Sequence, residues 1–305
     1  NHVISANEGS AIALAAGHHL ATGGTAVVYL QNSGIGNAIN PLLSLADPSV
    51  YAIPMLLLIG WRGEPGVPDE PQHITQGRVM EHMLDVIGLP YDVIGPDSVD
   101  FEVTISRATR AMRAEHGPRA ILIRRGTFIG TVAVRTDSVQ AGLEDGDLSR
   151  ITAIDAVLDV MPEDARLIAT TGFTSREVFD HRQRNGEEMD RDFLTVGSMG
   201  HASQIALGIA LHQLDRPIIC LAGDGSLIMN VQEFATAVSH DIPVKVFLMN
   251  NGHFGMVRQW QELFWDERYK SVAMGPSPDW VKLAEAFGWT GILCDRKDDL
   301  AGAMK

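Results

Sequence analysis

LAGDGSLIMNVQEFATAVSHDIPVKVFLMNN, residues 221–251, decides how the rest of the chain is read. An apolar run, PIICLA at 217–222, leads into Gly223-Asp224-Gly225-Ser226. A helix-like segment follows at about 229–240, and a second apolar run at 244–250 ends in Asn250-Asn251. Strand, helix, strand in so short a span is the unit of a parallel α/β sheet. Ligands of such sheets bind at the carboxyl ends of strands, where both short motifs fall. Gly223 and Gly225 permit a tight turn and let backbone N–H groups approach an anion. Asp224 would repel that anion unless a cation lies between the two. Hard cations such as Mg²⁺ take carboxylate, amide and carbonyl oxygens and bridge to phosphate. Asn251, 27 positions further on, offers a neutral amide oxygen from the neighbouring strand end. GDG alone is most often a turn and NN alone a strand end. The two together at this spacing predict a Mg²⁺–diphosphate site.

The same alternation runs outward in both directions. Strands are predicted at 25–31, 54–61, 90–94 and 119–124 in the first half, and at 166–170, 193–196, 217–222, 244–250 and 290–294 in the second. Helices are predicted at about 8–22, 36–47, 74–87 and 98–115, then at 151–161, 174–182, 201–213, 229–240 and 278–287. The acidic, glycine-containing stretch VRTDSVQAGLEDGDLSR at 134–150 reads as a linker. Two α/β domains result, at 1–133 and 151–305. The chain begins without Met, in a strand-like run at 2–5, and stops inside a helix-like pattern. It therefore reads as a fragment cut at both ends.

Bulk properties exclude several classes. With 305 residues, 45% of them apolar and 20% charged, the chain has the composition of a soluble globular protein. A net charge of −14 argues against nonspecific binding to nucleic acid or an anionic membrane. No apolar run approaches the roughly 18–20 residues of a membrane span. Two cysteines, Cys220 and Cys294, make no disulfide framework and suit a reducing cytoplasm.

GDGS, some two dozen residues and then NN resembles the thiamine diphosphate fingerprint. That resemblance implies a pyrimidine-binding and a diphosphate-binding domain, both α/β, here without a middle domain. It implies Asp224 and Asn251 as Mg²⁺ ligands, with the main-chain carbonyl of His253 as a third. Gly223, Gly225 and Ser226 would surround the diphosphate. In VGSMG, 196–200, Met199 stands where a large apolar residue props the cofactor in such enzymes, and the Gly197 carbonyl would accept from its aminopyrimidine. Met199 taken alone is an ordinary buried methionine.

Thiamine diphosphate also needs a carboxylate against its aminopyrimidine ring. Glu8, opening the Ala-rich helix EGSAIALAAGHHLATGG, is the candidate. Its alternative is charge complementing a helix N-terminus. In the family this glutamate comes from another subunit, so the resemblance implies at least a homodimer.

QNSGIGNAINPLLSL (31–45), GWRGEPGVPDEPQH (60–73), TTGFTSREVFD and VGSMGHAS resemble the phosphonopyruvate and sulfopyruvate decarboxylases. Asn32 and Ser33, at a strand end, could face a polar substrate. Arg62 could neutralise a phosphonate, or could pair with Glu64 or Asp69. His73 is a candidate proton donor beside His253, or a helix cap. From Ser226 onward the chain resembles acetolactate synthases instead, above all in GMVRQWQ at 255–261. Those enzymes carry an extra domain for which 124–166 leaves no room. The resemblance thus implies decarboxylation of 3-phosphonopyruvate, a step of phosphonate biosynthesis, to phosphonoacetaldehyde and carbon dioxide. The alternatives are a sulfopyruvate decarboxylase, an acetolactate synthase-like carboligase, and a non-catalytic cofactor-binding subunit.

Overall fold

The computed structural model describes residues 2–98, 100–128, 148–213 and 215–304. Contacts divide the chain into two units, Asn1–Ala133 and Val134–Lys305. Most of the linker expected at 134–150 lies outside the described residues.

The first unit runs α1 (Glu8–Thr22), β1 (Ala26–Gln31), α2 (Ile35–Pro41), β2 (Met55–Gly60), α3 (Pro71–Arg78), α4 (Met80–Val86), β3 (Tyr91–Ile94), α5 (Phe101–Glu115), β4 (Arg119–Ile123). Its strands pair in the order β1-β2-β4-β3, all parallel. Alternation along the strands builds a core on each face. Val28, Leu30, Met55, Leu57, Ile59, Ala120 and Leu122 pack with α1, α2 and α4. Leu56, Ile94, Ile121 and Ile123 pack with Ala108 and Met112 of α5. Strands covered on both faces read as continuous apolar runs, which is why MLLLIG and RAILI are so uniform.

The second unit runs α6 (Arg150–Val160), β5 (Arg166–Ala169), α7 (Phe173–Asn185), β6 (Asp192–Leu194), α8 (Ala202–Ala210), β7 (Ile218–Gly223), α9 (Asp224–Leu227), α10 (Glu233–Ser239), β8 (Lys245–Met249), α11 (Gly255–Phe264), α12 (Trp280–Ala286), α13 (Lys297–Ala303). Its sheet is also parallel, in the order β6-β5-β7-β8. Leu167, Ala169, Ile219, Leu221, Phe247 and Met249 share one core with residues of α6, α7 and α13. Ile168, Ile218, Cys220 and Ala222 share the other with residues of α8 and α10. No helix among the described residues is long and apolar enough to cross a membrane.

Two expected strands do not form. Residues 2–5 are irregular, with Val3 70% and Ile4 44% exposed. β1 pairs only with β2, so this run has no neighbour in the sheet. Residues 290–294 are irregular too, and Ile292 and Leu293 are exposed. There Gly291 lies against the backbone of Val281 in α12, not beside β8. An apolar run becomes a strand only where a partner offers its backbone groups. The helix expected at 74–87 starts earlier, with Pro71 in its first turn, and breaks at Val79 into α3 and α4.

Candidate active site

In the second unit the chain leaves β5 for β6 on one side and returns to β7 on the other. The β5–β7 boundary is therefore a topological switch point, and the crevice at its carboxyl end is where such sheets bind ligands. Three loops meet there. β5 runs into Thr170, Thr171 and Gly172, the last with φ 98°. β7 runs into Asp224. The turn after β6 carries Gly197, Ser198, Met199 and Gly200, with Ser198 at φ 51° and Gly200 at φ 91°.

Hydroxyls join these loops. Ser226 Oγ lies 2.7 Å from Thr170 Oγ1 and accepts the Gly200 N–H at 2.9 Å. Thr171 Oγ1 donates to the Val196 carbonyl at 2.8 Å. Ser226, expected to serve the diphosphate, therefore works first as a buried tie, and its proton is free for a ligand only when Thr170 donates to it. Gly200 needs to be glycine on two counts. Its φ is positive, and a Cβ would sit 2.9 Å from both Met229 Cβ and Asn230 Nδ2. Met199, by contrast, keeps 38% of its surface exposed beside this crevice.

Asp224 is 2% exposed. It accepts N–H bonds from Gly225 at 2.7 Å and Gly252 at 2.6 Å. Burial pushes its carboxyl above the usual range, outweighing the lowering pull of backbone N–H groups of Gly225, Gly252 and Asn251. Among the described residues no Lys or Arg pairs with it. The Gly252 bond carries Asp224 across to the end of β8, since Gly223 and Met249 are partners in the β7–β8 register. Asn251 follows at once. Its Oδ1 accepts the His253 N–H at 3.0 Å, and its carbonyl lies 2.6 Å from His253 Nδ1. That contact puts the ring hydrogen on Nδ1 and leaves Nε2 as the proton-exchanging position. Asn250 does different work, accepting from Ser277, which in turn accepts from the indole of Trp280. The two asparagines thus separate into one facing the Asp224 turn and one holding the next segment.

A Cβ at Gly223 would meet open space, while one at Gly225 would meet the Phe254 ring at 3.0 Å and Met274 Sδ at 3.3 Å. Residues 272–274 lie along this loop through Phe254 N–H to Val272 O and Met274 N–H to Gly252 O, both 2.9 Å. A buried carboxylate with only N–H partners, beside an amide and backbone carbonyls, fits a hard divalent cation. No cluster of three or more His, Cys, Asp or Glu occurs among the described residues, so a cation here relies on neutral oxygens.

In the first unit, Glu8 opens α1 behind the Asn7 cap. Its Oε2 accepts from Asn37 Nδ2 at 2.8 Å. Asn32 was expected to face a substrate; it is 1% exposed, and both its amide oxygen and its amide nitrogen bond the Arg62 backbone. Oδ1 accepts the Arg62 N–H at 2.7 Å, and Nδ2 donates to the Arg62 carbonyl at 2.9 Å. It clamps the ends of β1 and β2 together. Arg62 takes the alternative partner left open for it, gripping Asp69 through Nε at 2.9 Å and a terminal nitrogen at 2.5 Å. His73 Nδ1 lies 3.0 Å from the same carboxylate. Ser33 remains half-buried, its hydroxyl donating to Gln31 at 3.1 Å.

The Arg62 hydrogen bonds hold the Asp69 carboxyl well below the usual carboxylate range; burial opposes them, while His73 and the N–H groups of Gly63 and Glu70 reinforce them. Asp69→Asn should therefore destabilise the fold by about 3 kcal/mol near neutral pH. A depressed folded pKa gives stability that is present above the unfolded value of 3.8 and is lost as pH falls below it. Thermal melts should show a large gap between wild type and variant at pH 7 that narrows below pH 3.8. A gap independent of pH would contradict the role given to Asp69.

Sequence reasoning overlooked Thr170, Asn37 and the 272–274 segment. Only Asn37 carried a usable signal, standing three residues after Gly34 and so on the same helical face.

This arrangement of two parallel-sheet units agrees with comparison to known proteins. The chain belongs to the thiamine pyrophosphate enzyme family: residues 1–85 match its N-terminal TPP binding domain and residues 171–305 its C-terminal TPP binding domain. Its relatives include the phosphonopyruvate decarboxylase of Streptomyces viridochromogenes, 34% identical over 310 residues that cover 97% of this chain and 73% of that protein. The phosphonopyruvate decarboxylase of Streptomyces hygroscopicus is 35% identical over 312 residues, 97% of this chain and 72% of that protein. The likeness to acetolactate synthases is partial. That of Mycobacterium avium is 44% identical over 112 residues, 35% of this chain and 18% of that protein.

Proposed function

We propose that this chain is a thiamine diphosphate- and Mg²⁺-dependent decarboxylase that converts 3-phosphonopyruvate to phosphonoacetaldehyde and carbon dioxide. The carrying observation is the 34–35% identity to two phosphonopyruvate decarboxylases along 97% of the chain. Asp224, the Asn251 side chain and the His253 carbonyl would hold the cation. Backbone N–H groups around Gly223 and Gly225, with Ser226, would face the diphosphate. The Gly197 carbonyl would accept from the aminopyrimidine, and Met199 would support the bent cofactor. When bound, the cofactor supplies an electron sink for the bond to the departing carboxylate.

Glu8 would hold and move the proton at the aminopyrimidine ring. The phosphonopyruvate C1–C2 bond breaks, carbon dioxide leaves, and a proton takes its place on C2. His253 Nε2 is our first choice to deliver that proton and His73 the second. Of the substrate groups expected after β1 and β2, we keep Ser33 and assign Asn32 and Arg62 supporting roles. Family resemblance supports a working assembly of at least a homodimer, with Glu8 of one subunit serving the cofactor of another. Two unpaired cysteines suit the cytoplasm.

Phosphorus NMR tests the reading. The phosphonopyruvate signal should give way to phosphonoacetaldehyde only when thiamine diphosphate and Mg²⁺ are both present. Phosphonopyruvate left intact, with pyruvate converted to acetolactate, would favour the carboligase suggested by the acetolactate synthase likeness.

A further inference from the structure

Two glycines bring α1 down onto the turn that opens α2, and they answer different needs. Gly9 is required by backbone: a Cβ there would sit 2.7 Å from the Asn37 carbonyl oxygen. Gly34 is not. Its φ of −93° and ψ of −5° are open to any residue. What a Cβ at Gly34 would overlap is the Glu8 side chain: the carboxyl carbon, the Oε1 oxygen, and Cγ at 2.6 Å. The carboxylate of Glu8 therefore lies flat on a floor that only glycine leaves open. Its other oxygen is held from the side by the Asn37 amide at 2.8 Å. The floor is itself braced, because Asn32, two residues before Gly34, bonds both the carbonyl and the N–H of Arg62 through its buried side-chain amide.

We propose that Gly34 and Asn37 are the positioning residues of Glu8: the bare Cα of Gly34 admits its carboxylate and the Asn37 amide fixes the rotamer that presents it to the cofactor. This rests on the assignment of Glu8 made above. Glutamate has a long, rotamer-rich side chain, and ordering it beforehand is what proton transfer to a fixed ring position requires. A Cβ at residue 34 would be relieved by swinging Glu8 away, since that side chain is flexible and the backbone need not move. The fold would survive and the carboxylate would be misplaced.

The test measures exchange of the cofactor C2 proton for deuterium in the substrate-free holoenzyme, by quenched-flow proton NMR. Gly34→Ala and Asn37→Ala should each slow exchange about tenfold or more, with cofactor affinity unchanged. In a Glu8→Ala background, adding Gly34→Ala should change nothing further, because the two positions act through one group. In the cofactor-free protein, the Asn37 side-chain amide resonance should move on Gly34→Ala much as it does on Glu8→Ala. Slow exchange in Glu8→Ala, beside wild-type exchange in Gly34→Ala and Asn37→Ala and an unmoved Asn37 resonance, would overturn the positioning role alone. Wild-type exchange in Glu8→Ala would overturn the assignment of Glu8 and the positioning role with it. Should Gly34→Ala fail to fold, Asn37→Ala decides, since an exposed helical asparagine tolerates alanine.

Discussion

Glu8→Gln is expected to lower kcat by about 100- to 10,000-fold while leaving the affinities for thiamine diphosphate and Mg²⁺ unchanged. The variant is nearly isosteric, and the glutamine oxygen can still accept the Asn37 amide that now reaches Oε2 at 2.8 Å. It can neither take up nor release the proton that the aminopyrimidine must exchange. Loss confined to kcat would mark an interaction made in the reacting complex and not in cofactor binding. Steady-state rates and a fluorescence titration with cofactor check both halves. A variant that turns over at the wild-type rate would assign the proton transfer to another group.

Asp224→Asn should weaken Mg²⁺-dependent cofactor binding by about 100-fold or more, about 2.7 kcal/mol. Its effect on the metal-free protein should have the opposite sign. Asp224 is 2% exposed, and burial raises its carboxyl above the usual range. For such a group the stabilising contribution is present below the unfolded pKa and is lost as pH rises through the folded one. Burial therefore makes the ionised form of this carboxyl a burden on the protein without metal as pH rises, and asparagine relieves it. Without metal, the variant should melt as high as wild type or higher at pH 7. With Mg²⁺ and thiamine diphosphate, wild type should rise in melting temperature and the variant should not, because a ligand stabilises only the state that binds it. Equal rises in both proteins would remove Asp224 from the metal site.

Features that depend on local pattern were readable in the sequence. β2, β4, β5, β7 and β8 announce themselves because strands covered on both faces must be apolar throughout. Asp224 stood out as a candidate only because GDG and NN fall together at this spacing, each at a strand end. The runs at 2–5 and 290–294 failed because apolarity does not say whether a neighbouring strand is there to pair with. Asn32 and Arg62 stayed ambiguous for a related reason. Polar groups at strand ends resemble ligand groups, yet two buried strand ends also need polar atoms to satisfy each other's backbone. Thr170 and Ser226 meet 56 residues apart, and Glu8 and Asn37 29 apart, so nothing short of the fold could join them. That the group lying against Gly34 is the Glu8 carboxylate is likewise a fact of tertiary structure.

The most direct test of the account is the initial rate of carbon dioxide release from phosphonopyruvate, sulfopyruvate and pyruvate, assayed in parallel with saturating thiamine diphosphate and Mg²⁺. Phosphonopyruvate should show the highest kcat/KM, by about tenfold or more over the other two, with no release when either cofactor is withheld. Pyruvate turned over as well as phosphonopyruvate, with acetolactate as the product, would contradict it.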